Sequence, residues 1–258
     1  MGYFTVEVKP TIDVAALAAG NITDAEILFD WHGFDIPRGP AKLIGVTARV
    51  VGKNGADYTM ADIELFWAKS IAGSAPGTLG DDGAAVDTFG WFPNIIGKTF
   101  LDASSGSNDG DLIMGNIMTA AAPGGGTLGG SQAVNLPIDS LSVFEGEPES
   151  GTNVGYDKIY VAGIAKGTHN WGASTMSIDT PLPTTSSSII TVADLSPVLS
   201  GIGPGDILRD EDNQLIGTVK SVDSATKMTL EANSANAVAE NKIVYNTTPV
   251  TLLLSFEK

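Results

Sequence analysis

The sequence predicts an all-β chain: an antiparallel, jelly-roll-like β-sandwich with a small, inserted, five-stranded β-barrel-like domain. Many segments alternate apolar and polar residues with a period of two, the pattern of half-buried strands. Turn-forming stretches such as "GKNGAD" and "SAPGTLGDDG" separate these segments. The 258 residues include 31 glycines and only 17% charged residues, which is typical of a loop-rich β protein.

The strands of the larger sandwich follow from this alternation. Inward rows are predicted for Phe4, Val6 and Val8; for Ile63, Leu65 and Trp67, against Asp62, Glu64 and Ala68; for Met176 and Ile178; and for Val250, Leu252, Leu254 and Phe256. Further strands are predicted in "AEILFDWHGFDI", "AKLIGVTARVV", "DLIMGNIM", "LSVFE" and "DKIYVAGIAK". One short helix is predicted in "TIDVAALAAG", where Gly20 ends an alanine-rich run.

A second unit begins after "DTPLPTTSSS", whose prolines, threonines and serines predict a linker over residues 180–188. Five short strands follow, in "IITV", "DILRD", "QLIGTVKSVD", "KMTLEA" and "KIVYN". The predicted domains are therefore a sandwich of residues 1–183 plus 248–258 and a small barrel-like domain of residues 184–247.

Charge and composition exclude several classes of function. The net charge of −16 disfavours nucleic acid and anionic membranes, because both need basic residues on the protein. The absence of cysteine excludes disulfides, thiolate nucleophiles and cysteine-ligated metals. The start "MGYFTVEVKP" lacks the pattern of a signal peptide, so we expect a soluble protein made in a cytoplasm.

The densest group of charges is "RDEDN", residues 209–213. An EF-hand needs Gly at the sixth loop position and a late Glu; counted from Asp210, Leu215 takes the place of that Gly and the Glu is missing. A solvated hairpin turn fits better, because Asp and Asn tolerate left-handed backbone. The same turn interpretation is favoured over calcium for two other acidic groups: Asp109 with Asp111, and Asp81, Asp82 and Asp87.

Catalytic machinery is not predicted. His32 and His169 are the two histidines, and neither lies in a motif that brings it to a nucleophile and an acid. The glycine-rich stretch 122–130 has no P-loop lysine and no helical pattern after it. We therefore predict a non-enzyme without a cofactor, a catalytic residue or a metal.

The aromatic residues give the candidate contact site. Trp31, Trp67, Trp91 and Trp171, with the "FGWFP" loop, are suited either to packing and subunit contacts or to stacking on sugars. Packing or subunit contact is the preferred interpretation. The candidate subunit-contact or ligand residues in loops are Phe89, Trp91, Phe92 and Trp171.

Three segments resemble structural proteins of tailed bacteriophages, especially marine and cyanophage-like ones. The run "EILFDWHGFDIPRGPAKLIGVTARVVGKNGADYTMADIELFWAKS" resembles the opening of such proteins. The run "GPGDILRDEDNQLIGTVKSVDSATKMTLEANSANAV" is similar to small barrel modules of virion proteins, and "KIYVAGIAKGTHNW" has the same character.

The resemblance implies a virion component, either a head decoration (cement) protein or a knob or tail accessory protein. Its implied partners are the major capsid protein or other virion proteins, and its implied assembly is a homo-oligomer, with a trimer favoured. An acidic surface suits the outside of a DNA-filled shell, and assembly would take place in the host cytoplasm. Salt should strengthen self-association, because screening weakens repulsion between like-charged copies.

Two other functions remain open from the sequence. A carbohydrate- or receptor-binding sandwich of a tail, fibre or knob would present exposed aromatic rings in a groove. A sandwich enzyme acting on polysaccharide would need paired carboxylates across a cleft, and no spacing among the acidic residues indicates them.

Overall fold

The computed structural model describes residues 2–39, 41–51, 61–70, 74–86, 94–103, 112–115, 136–138, 156–170, 176–183, 187–193 and 202–257. Within these ranges regular structure is nearly all β-strand, with one short helix. The strands are joined in antiparallel pairs. The predicted all-β fold class is therefore confirmed.

The elements follow one another as a single helix and a series of mostly short strands. In chain order they are β1 (Tyr3–Val8), α1 (Val14–Ala19), β2 (Asn21–Ile22), β3 (Ile27–Pro37), β4 (Ala41–Val50), β5 (Asp62–Lys69), β6 (Ile95–Leu101), β7 (Leu112–Gly115), β8 (Leu136–Ile138), β9 (Tyr156–Lys166), β10 (His169–Asn170), β11 (Ser177–Ile178), β12 (Ile189–Ala193), β13 (Ile207–Asp210), β14 (Leu215–Ser224), β15 (Lys227–Leu230), β16 (Val244–Asn246) and β17 (Val250–Glu257).

One side of the sandwich is a five-stranded sheet in the order β1-β17-β4-β7, with β8 also paired to β4. The alternation predicted for its central strand is confirmed. Val250, Leu252, Leu254 and Phe256 are at most 1% exposed, whereas Leu253 between them is 43% exposed. The chain thus returns, after the small unit, to a strand that lies between β1 and β4.

The other side is a four-stranded sheet in the order β3-β9-β5-β6. Its inward row on β5 is also confirmed, since Ile63, Leu65 and Trp67 are at most 1% exposed and join the same hydrophobic cluster as β17. The Trp67 ring meets Phe34 edge to face at 6.4 Å, and its Nε1 donates a hydrogen bond of 2.9 Å to Thr99 Oγ1. Trp67 is therefore a packing residue, in agreement with its predicted place in the inward row of β5.

The outward row predicted for β5 is wrong for Glu64 and Ala68, which are both buried. Phe66, between them on the same face, packs against a separate hydrophobic cluster that joins Leu79 of the segment 74–86 to residues of β3 and β9. Burial alone would raise the pKa of Glu64, but the ammonium groups of Lys98 at 2.6 Å and Lys166 at 3.3 Å hold that pKa below its ordinary value. The carboxylate is thus buried with its counter-ions.

The helix predicted in "TIDVAALAAG" is confirmed as the six-residue α1. Gly20 ends it in the left-handed conformation, with φ of 88°, and its N–H donates to Leu17 O. Among the described residues, no helix is long and apolar enough to cross a membrane.

The small unit is a six-stranded sheet in the order β11-β12-β15-β14-β13-β16. All of the five strands predicted there are present. Backbone hydrogen bonds from Ile178 N to Lys242 O and from Val244 N to Met176 O connect the first strand to the last, so the sheet is nearly closed. Its interior holds a hydrophobic cluster of its own.

The small unit begins earlier than the predicted residue 184. Its first strand starts at Ser177, and its hydrophobic cluster starts at Met176. Leu182, inside the predicted linker, is 4% exposed and exchanges two backbone hydrogen bonds with Val238. Residues that composition predicted to be a linker therefore belong to the small sheet. The division into two domains stays a prediction.

A polar junction joins the sandwich to the small unit. Lys9 Nζ, just after β1, lies 2.7 Å from Asp206 Oδ1 and 2.7 Å from Pro204 O. Close by, Ile12 N donates a hydrogen bond of 2.7 Å to Thr247 O. The two units therefore share both an ion pair and a backbone hydrogen bond.

Candidate functional site

A cavity of about 340 Å³ opens between the β1–α1 connection, β3 and the segment 74–86. We call it the acidic cleft, because aspartates dominate its lining. The chain brings them together from three separate places, and an aromatic ring and an imidazole join them. The residues that define the cleft are Asp13, Asp30, Trp31, His32, Asp81 and Asp82.

Two of these carboxylates hold the backbone of the cleft in place. Asp82 accepts hydrogen bonds from Asp13 N at 2.8 Å and from Asp30 N at 3.1 Å, so it ties the helix start to β3. Asp30 in turn accepts from Leu79 N at 3.0 Å and from Thr78 Oγ1 at 2.7 Å. The segment 74–86 is thus fastened to β3 at two points.

Burial, together with the nearby carboxylates of Asp13 and Asp30, raises the pKa of Asp82 to about 7, although its two backbone hydrogen bonds act in the opposite direction. An unfolded aspartate has an ordinary pKa near 4. The folded protein therefore binds a proton at Asp82 between pH values of about 4 and 7 that the unfolded chain has already released.

We expect this group to make the protein less stable as the pH rises. Proton uptake by the folded state means that the free energy of unfolding falls between pH 4 and 7, by on the order of 2 kcal/mol once solvent at the cleft mouth is allowed for. The replacement Asp82→Asn removes the titration and one acceptor oxygen. Urea unfolding at pH 4.5, 6 and 8 should then show that the stability of the wild type relative to Asp82→Asn decreases with pH.

The matched control is Asp81→Asn, which changes the exposed neighbouring carboxylate and leaves Asp82 in place. The contributions of all other titrating groups to the pH dependence of stability cancel in the comparison, because both variants retain those groups. A stability difference between wild type and Asp82→Asn that stays constant over this pH range would contradict the prediction.

Trp31 and His32 form the aromatic wall of the cleft. Trp31 Nε1 donates a hydrogen bond of 2.9 Å to Gly77 O, and its ring packs against the cluster that contains Leu79. Burial, followed by the charge of Lys158, lowers the pKa of His32. His32 is therefore neutral near pH 7, where its imidazole has both a donor and an acceptor nitrogen.

The groups of the cleft that a ligand could reach are mainly hydrogen-bond acceptors. Asp13 and Asp81 are exposed at its mouth, whereas Asp30 and Asp82 already accept bonds from the backbone. Within the described residues, no group of three or more His, Asp or Glu side chains is placed to hold a metal ion. Exposed carboxylates beside an indole suit hydroxyl or ammonium donors better than they suit anions.

Comparisons with known proteins add no template for this cleft. No protein-family model, curated protein or solved structure matches the chain.

His169 lies outside the cleft, in the two-stranded pairing of β10 with β2. Its side chain is fully buried, and burial lowers its pKa to about 4 although a contact with the Asp62 carbonyl, 3.3 Å from Nε2, acts in the opposite direction. A buried neutral imidazole against a backbone oxygen is a packing arrangement.

The "RDEDN" segment forms a hairpin turn between β13 and β14, as predicted. Asp210 Oδ1 accepts hydrogen bonds from Asp212 N at 3.0 Å and Gln214 N at 2.8 Å, and Asn213 adopts a positive φ of 63°. The expectation of a fully solvated turn is wrong for Asp210, which is 1% exposed. Its carboxylate is buried because it caps the turn's own backbone.

The remaining acids of this turn face one lysine. Lys242 Nζ lies 2.8 Å from Asp212 Oδ2 and 2.9 Å from Glu211 Oε1. Hydrogen bonds to these two carboxylates raise the pKa of Lys242. The charge of the turn is thus partly neutralised by the chain itself.

Several predicted positions lie outside the residues that the structure describes. They are the candidate contact residues Phe89, Trp91, Phe92 and Trp171, the acidic residues Asp87, Asp109 and Asp111, and the glycine-rich stretch 122–130. Their predicted roles stay predictions.

Sequence reasoning missed two members of the cleft, Asp13 and Asp30. A signal was present in "FDWHG", where three consecutive residues, Asp30, Trp31 and His32, interrupt the apolar alternation of β3. The pairing of β3 with β9 shifts register between Phe29 and His32. Such an irregularity turns side chains toward places that a regular strand would not reach.

Proposed function

We propose that this protein is a non-enzymatic structural component of a tailed-bacteriophage virion. Its proposed role is that of a capsid decoration (cement) protein, which binds the major capsid protein on the outer surface of the head and stabilises the shell through subunit contacts. The resemblance of residues 26–70 and 203–238 to virion proteins suggests this role.

The observation that carries the proposal is the use of the polar side chains. Asp30, Asp82 and Asp210 hold backbone N–H groups of connecting segments, and His169 is buried and neutral. A general acid or base must be free to reach a substrate, whereas these three carboxylates already accept hydrogen bonds from the chain's own backbone. Here they define the shape of loops, which is what a scaffold with fixed contact surfaces requires.

The overall charge supports a location outside the shell. A net charge of −16 opposes contact with packaged DNA, since each phosphate contact needs a Lys or Arg to replace counterions. On the outer surface the same charge favours solubility and discourages non-specific association. Only 17% of the residues are charged, which would favour close packing against a neighbouring subunit.

Counting copies in purified particles tests the proposal. Quantitative peptide mass spectrometry on density-purified virus from the source lysate would compare this chain with the major capsid protein. A host cytoplasmic enzyme, measured in the same sample, reports carry-over. We expect a ratio near one, or a fixed simple fraction of it, well above the carry-over level.

Other ratios would overturn the decoration role in different ways. A few copies per particle would place the chain in the tail or at a vertex, and receptor binding would then be the better function. A level no higher than that of the host enzyme would remove the virion role altogether, and the carbohydrate-binding sandwich would replace it.

A further inference from the structure

The first strand, β1, is an edge of the five-stranded sheet. It pairs with β17 through six residue pairs, from Tyr3 with Glu257 to Val8 with Leu252, without a register shift. On its other side, β1 has no strand partner within the described part of the chain. Every second backbone N–H and C=O of an edge strand points away from its sheet and is available for pairing.

Within the described residues, this edge lacks three of the features that usually prevent pairing between sheets. Proteins protect edges with bulges, prolines or lysines, and β1 has none of these within its six residues. Its single charged residue is Glu7. Tyr3, at the outer end, is 70% exposed. Within the described residues, the strand is therefore regular, carries one charge and is exposed at Tyr3, Thr5 and Glu7.

The hydrophobic core is also incompletely covered at this edge. Phe4 and Val6 point toward the cluster between the two sheets but remain partly exposed, whereas Leu254 and Phe256 opposite them are buried. The Phe4 ring stacks on Phe256 with centroids 5.1 Å apart. A further strand beside β1 would remove the remaining apolar surface of Phe4 and Val6 from water.

We propose that β1 pairs antiparallel with β1 of a second copy of this chain, around a twofold axis at Thr5, so that two five-stranded sheets become continuous. In this register Tyr3 lies opposite Glu7 of the second copy, Phe4 opposite its Val6, and Thr5 opposite its Thr5. The Tyr3–Glu7 and Phe4–Val6 pairs each occur twice and Thr5 pairs with itself, as expected for a closed twofold interface.

The side-chain alternation of β1 restricts the axis to a residue of the strand, and the two partly exposed inward residues, Phe4 and Val6, then select Thr5. In a continuous sheet, inward side chains of one β1 must lie opposite inward side chains of the other. The twofold axis must then pass between two copies of the same residue. Centring on Glu7 would oppose two carboxylates, which is unfavourable. Centring on Thr5 opposes no like charges and matches Phe4 with Val6, the two residues that remain partly exposed. Beyond β1, Lys9 turns away to Asp206 and Pro10 has no N–H to donate.

The pairing deepens the proposed virion role, on which its biological setting rests, but it is testable on the purified chain alone. It gives a dimer, whereas the trimer implied by the resemblance would need a different contact. Because each copy carries −16, salt should strengthen the dimer by screening repulsion.

A single introduced cysteine tests both the contact and its register, since the natural chain contains no cysteine. Residues opposite each other at the axis have Cβ atoms about 5 Å apart, so Thr5→Cys should be joined to its counterpart by mild oxidation or by a short bismaleimide crosslinker. Glu7→Cys is the register control: in the proposed register its counterpart is Tyr3 of the second copy, so the two introduced cysteines do not lie opposite each other. Thr251→Cys, on the outward row of the neighbouring strand β17, is the control for random collision.

Light scattering on the wild type should give twice the chain mass of 26.6 kDa. Thr5→Cys should crosslink into dimers far more efficiently than either control. Thr5→Lys, which opposes two ammonium groups at the axis, should yield the monomer, while Thr251→Lys should not. A wild type that stays monomeric or forms a trimer, or a Glu7→Cys yield equal to that of Thr5→Cys, would overturn the inference. The copy number in particles is unaffected by either result.

Discussion

Replacing Gly163 with alanine is expected to destabilise the protein by about 3 kcal/mol or more. Gly163 lies in β9 opposite Phe29 of β3, and a Cβ atom at this position would stand 2.5 Å from Phe29 Cε1 and 2.8 Å from Cζ. The ring cannot swing away, because Phe29 is fully buried in the main hydrophobic cluster. Either the two strands separate or the ring leaves its position, and each disturbs the centre of the sandwich.

Urea or thermal unfolding of Gly163→Ala measures this effect. Gly77→Ala is the matched control, because a Cβ there meets no atom within 4 Å, and its unfolding free energy should change by about 0.5 kcal/mol or less. The double variant Phe29→Leu with Gly163→Ala should be less destabilised than the sum of the two single changes, since the smaller side chain relieves the clash. Strict additivity would show that the ring contact is not the cause.

Replacing Lys9 with methionine is expected to cost about 3–5 kcal/mol, because it leaves a buried carboxylate without its counter-ion. The Asp206 side chain is only 3% exposed and that of Lys9 is 18% exposed. Asp206 Oδ2 still accepts bonds from Gly203 N and Asn246 Nδ2, both at 3.0 Å. Two neutral donors do not replace the lost ammonium in this dry position.

The double variant Lys9→Met with Asp206→Asn distinguishes charge from packing. Neutralising the carboxylate should recover part of the loss, since an amide oxygen can still accept a bond and no buried charge remains. Lys242→Met is the matched control, because its partners Glu211 and Asp212 are far more exposed, and exposed pairs contribute at most about 1 kcal/mol. Lys9→Met and Lys242→Met variants of equal stability would contradict the prediction.

The Lys9 variant also tests how the two units are joined. The ion pair connects residues 197 positions apart in the chain and lies at the junction between the sandwich and the small sheet. Hydrogen exchange should therefore rise first around residues 203–206 in Lys9→Met, before it rises in the hydrophobic interior of either unit. This local change would not appear in the Gly163 variant, whose defect is central to the sandwich.

Local patterns in the sequence were sufficient for many of the strands and for the turns at Gly20 and Asp210, although no strand was predicted at β6. β17 alternates because one of its faces meets the core and the other meets solvent, so Leu252 and Leu254 are buried while Leu253 is exposed. Gly20 ends the helix because it adopts a positive φ without steric cost. The hairpin at Asp210 follows from side chains that bond their own backbone. Each of these features depends on neighbours in the sequence.

The same patterns gave wrong results where a second layer covers a surface. Glu64 and Ala68 occupy the polar positions of an alternating strand, yet both are buried. Phe66, between them on the same face, packs against the cluster that contains Leu79 and Val86 of the segment 74–86. "TMSID" reads as a strand of the sandwich, but β11 pairs with β12 and closes the small sheet. Alternation identifies the two faces of a strand but does not identify what lies against each of them.

The acidic cleft shows the same contrast between features that depend on neighbours in the sequence and features that depend on packing. The sequence by itself determined that the chain is all-β, acidic and rich in turns, because these properties depend on composition and on spacings of a few residues. Only the tertiary structure placed Asp13, Asp30 and Asp82 around one cavity and Lys9 beside Asp206. These contacts join residues far apart in the chain, and their positions are set by how sheets pack and close, which no local periodicity encodes.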